Sequence, residues 1–335
     1  KSLPMTFASI VVPAFNVSAT LAETLTSLLQ QTHASYEVII VDDGSTDDTP
    51  RIAARFARDR RVRVIRQSNR GLAGARNTGI AAARGDVIGL CDSDDLWRPE
   101  KLALHIAHLE ANPQVGISYC GSALMNDAGV LTGQAQRPRL AQVDATTIFK
   151  RNPIGNGSAP VLRRAVLEDI AYRPRHEPSR DWYFDETFRQ SEDIECWLRI
   201  ALSTDWKFEG IPGLWTHYRI ATGGLAAATD RQLAAWERMV EKLTPLNPAF
   251  FEVNTPVARA YQLRYLARRA ISDLDSSRAA SLSRAWVSQS RLPLIEEPVK
   301  SFVTLAAAAV LSVFGRQLLH RIMQVSARLR RAEAV

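Results

Sequence analysis

The first 120 residues alternate between apolar β-type runs and amphipathic helical runs, and this alternation is the feature that most limits the possible folds. Strand-like runs lie at "ASIVVPAF", "YEVIIVDD", "RVRVIRQ" and "DVIGLCD", and a helical run follows each of the first three. Near-continuous apolar strands are typical of parallel sheets that helices cover on both faces. The sequence therefore predicts a Rossmann-like α/β fold, with a mostly parallel sheet and right-handed crossovers.

Eight residues, five of them aspartates, stand where the predicted strands end. In chain order they are Pro13, Phe15, Asn16, Asp42, Asp43, Asp92, Asp94 and Asp95. Ligands of such sheets bind outside the carboxyl ends of the strands, so we expect these residues to form one site. Carboxylates this close together repel each other and raise each other's pKa unless a positive charge lies among them.

A divalent cation is the positive charge that fits this pattern best. Mg²⁺ is commonly held by one or two carboxylates together with substrate phosphates, which predicts Mn²⁺ or Mg²⁺ at the acidic cluster of Asp92, Asp94 and Asp95. An EF-hand is excluded because Trp97 and Ala103 stand where that loop needs Gly and Glu. Helix capping by these carboxylates is the alternative. The sequence has no strand-linked GxGxxG and no GxxxxGK[ST], which excludes dinucleotide-binding dehydrogenases and Walker-type NTPases.

Four motifs in order resemble the inverting family 2 glycosyltransferases of the GT-A fold, of the bacterial polysaccharide and exopolysaccharide type. They are "IVVPAFN", "QTHASYEVIIVDDGSTDDT", "NRGLAGARNTGIAAARGDVIGLCDSDDLWRPEKL" and "SEDIECWLRI". The resemblance is dense from Ala8 to Leu104, returns at Ser191 to Arg199, and is weak from Gly129 to Asp181. It implies a metal-dependent enzyme that moves a sugar from a nucleotide-sugar, UDP-linked by family habit, to a saccharide acceptor, which in many relatives is polyprenyl-diphosphate-linked.

The resemblance also implies roles for the matching residues. The implied nucleotide-sugar-binding residues are Pro13, Phe15, Asn16, Asp42, Asp43, Arg76, Asn77, Asp92, Asp94 and Asp95. One carboxylate of the Asp42–Asp43 pair would accept a hydrogen bond from the nucleotide base. Asp92 would face the ribose and Asp94 the cation, while Asp95 would support them or face the sugar.

The "ED" pair, Glu192 and Asp193, matches the catalytic pair of the family, in which the Asp is the general base. The alternative is an acidic first turn that merely favours the helix dipole. His217, in "WTHYRIATGG", is a candidate third ligand of the metal or a contact of the diphosphate, and a structural histidine is the alternative. Arg219 is similarly placed and could contact phosphate.

Two other functions remain open at this point. A sugar nucleotidyltransferase has a similar sheet, but it requires a Gly-rich basic loop after the first strand, which "PAFNVSAT" lacks. A catalytically silent, membrane-bound module that binds nucleotide-sugars would keep the same fold. Its distinguishing property would be nucleotide binding without turnover.

Domain organisation follows from where the α/β pattern stops. We expect a glycosyltransferase domain over 1–228, with a nucleotide-sugar-binding half (1–112) and an acceptor-binding half (113–228), and a basic helical region over 229–335. From Pro256 to the end there are 13 Lys and Arg against 5 Asp and Glu. In the tail, 299–331, the apolar run from Phe302 to Phe314 is shorter than the roughly 20 residues that span a bilayer.

The tail becomes basic and amphipathic after this run, which predicts a segment that lies on an anionic membrane surface. Packing on the body or on a partner chain is the alternative, and nucleic acid is not predicted. The three cysteines, Cys91, Cys120 and Cys196, have no zinc-site spacing and are expected to be buried thiols. Without an N-terminal signal pattern, we expect a cytoplasmic protein that associates peripherally with the inner face of the cell membrane.

Overall fold

A computed structural model of the chain describes residues 5–220 and 226–332. These residues divide into two compact units. The sheet unit comprises 5–145 and 152–220, and the helical unit comprises 146–151 and 226–332. The sequence predicted a single boundary at residue 228, whereas the short segment 146–151 belongs to the helical unit.

A nine-stranded sheet forms the centre of the sheet unit. Its strands are β1 (Ala8–Ala14), β2 (Tyr36–Asp42), β3 (Val62–Arg66), β4 (Val87–Leu90), β5 (Leu96–Trp97), β6 (Val115–Met125), β7 (Leu131–Gln136), β8 (Val161–Arg163) and β9 (Lys207–Arg219). Their order is β3-β2-β1-β4-β8-β6-β9-β5, and β7 pairs with β6. Strands β1 to β4 are mutually parallel, which confirms the predicted Rossmann-like half.

Beyond β4 the sheet becomes mixed. Strand β8 runs antiparallel to both β4 and β6, whereas β6 and β9 are parallel. The helices of the sheet unit are α1 (Leu21–Leu29), α2 (Thr49–Phe56), α3 (Gly71–Ala82), α4 (Lys101–Ala111), α6 (Arg164–Ile170) and α7 (Glu192–Ser203). Helix α3 lies close to β1, because a Cβ on Gly79 would come within 2.3 Å of Val11. This close packing brings the side chains of α3 to the end of β1.

The core of the sheet unit lies between the parallel strands and the helices. All seven residues of β1 and of β2 are buried, as expected for strands covered on both faces. On α1, Leu21, Leu25 and Leu28 are buried in the same cluster as Ile10 of β1. The three cysteines are buried and free, as the sequence predicted.

The helical unit is formed by α5 (Ala145–Lys150), α8 (Ala226–Leu243), a 3₁₀ turn (Thr244–Leu246), α9 (Pro248–Ser272), α10 (Ser276–Gln289), α11 (Leu292–Glu296) and α12 (Pro298–Ala332). Phe149 of α5 stacks on Trp236 of α8, with ring centroids 5.5 Å apart, and meets Phe251 edge-on. This aromatic cluster fixes the short segment 146–151 in the helical unit.

Helix α12 has one packed face and one exposed apolar face. Thr304, Ala308 and Leu311 are buried, whereas Phe302 and Phe314 expose 63% and 65% of their surfaces. The stretch Pro298–Ile322 is long and apolar enough to cross a membrane by length and composition. This stretch is longer than the apolar run Phe302–Phe314 that the sequence analysis considered. Gly315, with φ 76°, interrupts the helix within this stretch.

Candidate active site

The carboxyl end of β1 presents an exposed aromatic ring. Pro13 is buried within β1 opposite Val41 of β2, whereas Phe15 follows the strand with 48% of its surface exposed. Asn16 turns the chain with a φ of 52°, and its side-chain oxygen accepts a hydrogen bond from the Thr46 amide at 2.8 Å. Pro13 and Asn16 therefore shape the backbone, and Phe15 presents an exposed apolar surface.

Both oxygens of the Asp43 carboxylate accept hydrogen bonds from inside the protein. It accepts hydrogen bonds from Gln67 Nε2 at 2.7 Å, from the Arg70 amide at 2.9 Å and from the Gly71 amide at 2.8 Å. The last two amides are at the start of α3, where backbone N–H groups have no partner within the helix. Asp43 therefore anchors the start of α3 to the end of β2.

The carboxylate of Asp42 is different, because one of its oxygens lacks a hydrogen bond. Asp42 is buried at the end of β2, and its Oδ1 accepts from the Ser45 amide at 3.0 Å. Oδ2 lies 3.3 Å from the guanidinium of the exposed Arg66, but no hydrogen bond reaches it from the described residues. A buried carboxylate oxygen without a donor is unusual and marks a place where a ligand N–H would be favourable.

The acidic cluster after β4 has one structural member. Asp95 is completely buried, and its oxygens accept hydrogen bonds from Ser158 Oγ at 2.6 Å and from the Arg219 amide at 2.9 Å. Burial and the charges of Asp92 and Asp94 raise the pKa of Asp95. Burial and the charge of Asp92 also raise the pKa of Asp94. Asp95 therefore holds the strand ends together, while Asp94 remains a carboxylate in need of a countercharge.

Arg76 joins the two halves of the predicted site. Its side chain is buried beneath Phe184, and its Nη2 donates to Asp92 Oδ1 at 2.8 Å. Nη1 donates to Glu192 Oε1 at 2.9 Å. The pKa of Arg76 is raised because the charges of Asp92 and Glu192 and the hydrogen bond to Asp92 outweigh the effect of burial. One guanidinium thus brings the acidic cluster after β4 and the "ED" pair, about 100 residues apart in the sequence, to the same place.

Asn77 is completely buried and its side chain is saturated. Its Nδ2 donates to the Phe184 carbonyl at 2.8 Å and to Glu186 Oε1 at 2.9 Å. Its Oδ1 accepts from the amides of Tyr183 at 3.1 Å and Phe184 at 2.8 Å. The sequence resemblance placed Asn77 along the nucleotide, whereas its four hydrogen bonds attach the segment before α7 to α3.

The "ED" pair opens helix α7, as predicted. Glu192 is buried against Arg76, and Asp193 is partly buried with its Oδ2 bound by Asn152 Nδ2 at 2.8 Å. Burial raises the pKa of both carboxyls, and the positive charge of Arg76 acts in the opposite direction. A carboxyl with a raised pKa is a better proton acceptor than an exposed one, which suits Asp193 to general base chemistry.

The loop at 152–158 is part of the site, although the sequence interpretation missed it. Ser158 Oγ accepts from the Asp92 amide at 2.8 Å, and a Cβ on Gly157 would lie 2.3 Å from Arg76 Nη2 and 2.7 Å from Asp92 Oδ2. Only a glycine lets this loop come so close. The run "GNGS" directly before an apolar strand was the available signal for a close backbone approach.

His217 and Arg219 lie on β9, next to α1 and β5. Burial and the charge of Arg98 lower the pKa of His217, which pairs with Leu96 in the sheet. Arg219 is buried and donates to Glu23 Oε2 at 2.8 Å and to the Asp94 carbonyl at 2.8 Å. Arg219 thus supports the backbone of the acidic cluster.

The predicted metal ligands do not form a three-residue protein site. Among the described residues, no three His, Cys, Asp or Glu side chains are grouped so that they could hold a metal ion. Asp92, Asp94 and His217 are therefore not a ligand trio. Any cation at this site would be held by the carboxylates together with ligand oxygens.

Comparison with known proteins identifies the family. The model of "Glycosyl transferase family 2" matches residues 9–170. The succinoglycan biosynthesis protein ExoO of Rhizobium meliloti is 30% identical over 246 residues, which are 69% of this chain and 67% of ExoO. The chain belongs to glycosyltransferase family 2. This confirms the family and the enzyme class that the four sequence motifs predicted.

Other relatives of this glycosyltransferase also carry the names of sugar-transferring enzymes. An uncharacterized glycosyltransferase of Nostoc sp. is 32% identical over 170 residues, 48% of this chain and 52% of that protein. WfaP of Escherichia coli, named as a UDP-Glc:α-D-GlcNAc-diphosphoundecaprenol β-1,3-glucosyltransferase, is 29% identical and covers 71% of this chain and 87% of WfaP. Several curated relatives are longer than the part that matches this chain. The chain spans about half of the length of the Nostoc protein.

Solved structures support the GT-A fold of the glycosyltransferase. Staphylococcus aureus TarS 1–349 in complex with UDP-GlcNAc matches with a TM-score of 0.57 at 19% identity, covering 92% of this chain and 81% of that chain. The mannosyltransferase of Pyrobaculum calidifontis in complex with GDP-Man and Mn²⁺ also has a TM-score of 0.57, at 20% identity, covering 93% of this chain and 88% of that chain. The predicted fold class is thereby confirmed.

Proposed function

We propose that this glycosyltransferase transfers a sugar from a UDP-sugar to a polyprenyl-diphosphate-linked saccharide, with inversion at the anomeric carbon and with a divalent cation. The observation that carries the proposal is the double contact of Arg76, which joins Asp92 at 2.8 Å to Glu192 at 2.9 Å. It brings the carboxylates expected at the donor diphosphate next to the helix that carries the expected base. A site for one displacement reaction needs this proximity.

Donor recognition would use the ends of β1 and β2. The unbonded Oδ2 of Asp42 can accept an N–H of the nucleotide base, and the exposed ring of Phe15 can lie against an apolar face of the donor. Asp43 already accepts three internal hydrogen bonds, whereas Asp42 has an oxygen without one, so Asp42 is the member of the pair that we assign to the base. UDP is preferred because the name of the relative WfaP specifies UDP-Glc.

The chemical step is assigned to Asp193. Its carboxylate takes the proton of an acceptor hydroxyl, whose oxygen then forms the new bond to the anomeric carbon as the bond to the diphosphate oxygen breaks. A single displacement of this kind inverts the anomeric configuration, so an α-linked donor gives a β-glycoside. Glu192 is neutralised by Arg76 and positions the first turn of α7.

The donor set suits a hard divalent cation. Asp94 is a largely buried carboxylate whose pKa is raised by burial and by Asp92, so that an added positive charge would stabilise its ionised form. Asp94, with Asp92, would hold Mn²⁺ or Mg²⁺ together with donor phosphate oxygens. The cation would supply charge neutralisation for the departing nucleoside diphosphate.

Helix α12 supports a membrane-bound acceptor. Its buried face packs through Ala308 and Leu311 against α9 and α10, while Phe302 and Phe314 are exposed. The uninterrupted part before Gly315 has 17 residues, or about 25 Å at 1.5 Å per residue, which is less than the hydrocarbon thickness of a bilayer. We therefore propose that α12 lies in the cytoplasmic membrane surface and holds the enzyme near lipid-linked acceptors.

The test is nucleotide release from UDP-, GDP- and dTDP-sugars, with Mn²⁺ or Mg²⁺ and bacterial lipid extract as acceptor. We expect release from a UDP-sugar that needs the cation and is lost in Asp94→Ala and in Asp193→Asn. Asp48→Asn is the matched control, because Asp48 is an exposed aspartate that pairs with Arg51 of α2. NMR of the product should give the opposite anomer to that of the donor.

Three results would contradict the proposal. Release that survives both site variants would mean that these carboxylates are not the donor and base groups. A product with the anomeric configuration of the donor would exclude a single displacement. If the donor binds but no nucleotide is released when purified lipid-linked saccharides are supplied, the silent binding module is favoured. Formation of a nucleotide-sugar from a nucleoside triphosphate would favour the nucleotidyltransferase.

A further inference from the structure

Asn152 makes a hydrogen bond whose direction is fixed by the rest of its loop. The side-chain Oδ1 of Asn152 accepts from the Ile154 amide at 3.0 Å and from the Gly155 amide at 3.3 Å. Backbone amides can only donate, so this atom must be the oxygen and the other must be the NH₂ group. The NH₂ group therefore faces Asp193, and its Nδ2 donates to Asp193 Oδ2 at 2.8 Å.

We propose that Asn152 is a positioning residue for Asp193 and holds the carboxylate in the orientation in which it meets the acceptor hydroxyl. The inference rests on the proposed role of Asp193 as the base. Asn152 belongs to neither of the motifs that contain the acidic residues, and 41 positions separate it from Asp193. Asn152 is brought next to Asp193 by the fold and not by a shared sequence motif.

The hydrogen bond has two expected effects. It limits rotation of a short side chain at the start of α7, so the carboxylate is ready for proton transfer before the acceptor arrives. It also favours the ionised form of a carboxyl whose pKa burial raises. Loss of the donor should therefore alter both the rate of the chemical step and the pH at which the base becomes active, while the binding of the donor sugar stays the same.

The decisive variant is Asn152→Asp. It keeps an oxygen for the Ile154 and Gly155 amides, so the turn is preserved, but it replaces the NH₂ group with a second carboxylate facing Asp193. We expect the pKa of Asp193 to rise, because a hydrogen-bond donor is lost and a like charge is added. The acidic limb of the kcat profile should therefore move to higher pH, and kcat at pH values below that limb should fall by about 10-fold or more, with KM for the nucleotide-sugar unchanged.

Asn156→Asp is the matched control in the same loop. The Asn156 side chain also accepts a backbone amide, that of Ser158, but its Nδ2 donates to Ser122 and Gln136 rather than to a carboxylate of the site. Any effect of Asn156→Asp on stability or rate should leave the pH profile in place. If both variants shift the profile equally, the loop as a whole and not Asn152 is responsible, and the proposal is overturned.

A measurement without turnover separates this inference from the proposed function. The pKa of Asp193 is followed by ¹³C NMR of the aspartate carboxyls in the full chain, and its signal is assigned by its absence in Asp193→Asn. An unchanged Asp193 pKa in Asn152→Asp refutes the positioning role whether or not the enzyme is active. A raised pKa with full activity in Asp193→Asn would support the hydrogen bond as a positioning contact but remove Asp193 from catalysis.

Discussion

Replacement of Arg76 by methionine tests how the two halves of the site are held together. Arg76 is 2% exposed, and its two terminal nitrogens donate to Asp92 and Glu192 at 2.8 and 2.9 Å. Methionine fills much of the apolar volume of the side chain and cannot donate to either carboxylate. Glu192, which is 8% exposed, is then left as a buried acid without its cation, whereas Asp92 retains access to water.

Removal of one partner of a buried ion pair costs about 3–5 kcal/mol, because the remaining charge is uncompensated. Burial raises the pKa of Glu192 and the charge of Arg76 lowers it, so the pKa rises further in the variant. A carboxyl with a higher pKa in the folded than in the unfolded protein contributes stability at low pH and loses it as the pH rises. The destabilisation by Arg76→Met should therefore be smaller at pH 5 than at pH 8.

Urea unfolding at these two pH values measures the destabilisation, and nucleotide release measures the effect on the site. Arg199→Met is the matched control, because Arg199 is also buried and pairs with Glu195 at 2.9 Å within α7, without contacting the candidate site residues. Both variants should lose stability, but only Arg76→Met should lose release by about 100-fold, through displacement of the catalytic groups. Equal destabilisation at pH 5 and pH 8, or unaltered release, would refute the reasoning.

Three further predictions use other contacts. Asp42→Ala should weaken UDP binding by about 10-fold in calorimetry, whereas Asp43→Ala should instead lower the free energy of unfolding by about 2–3 kcal/mol in urea, because its hydrogen bonds are internal. Gly157→Ala should reduce nucleotide release by about 10-fold or more, since the Cβ would lie 2.3 Å from the buried guanidinium. Phe302→Glu should reduce flotation of the protein with anionic vesicles. The control Leu246→Glu changes an exposed leucine outside α12 and should not reduce flotation. Equal flotation of both variants would argue against membrane contact by α12.

The parallel half of the sheet could be predicted because its information is local. Strands β1, β2 and β4 are apolar runs that are followed by polar residues, and sheet geometry alone then places their ends together. The sequence could not predict which carboxylate of the Asp42–Asp43 pair keeps an oxygen without an internal hydrogen bond. Asp42 and Asp43 are adjacent and chemically identical, and they differ only because the start of α3 returns to bind Asp43.

The roles of α3 and of the loop at 152–158 depend on contacts that are distant in the sequence. Arg76 and Asn77 are neighbours on α3, yet Arg76 binds carboxylates of the site and Asn77 binds the backbone before α7. Neither partner set has a local sequence pattern. His217 matched a plausible ligand position on β9, but a strand position alone cannot specify which side chains it meets across the sheet.

The path of the chain through the helical unit limits how this enzyme can be cut or recombined. Residues 146–151 leave the sheet unit, place Phe149 between Trp236 and Phe251, and pair Arg151 with Glu297 before the chain returns at Asn152. A truncation after residue 220 would remove these partners and expose Phe149, which is 2% exposed in the whole chain. A chimera that exchanges the helical unit must therefore replace two separate pieces of sequence, so gene fusion at a single junction is a poor route to such a hybrid.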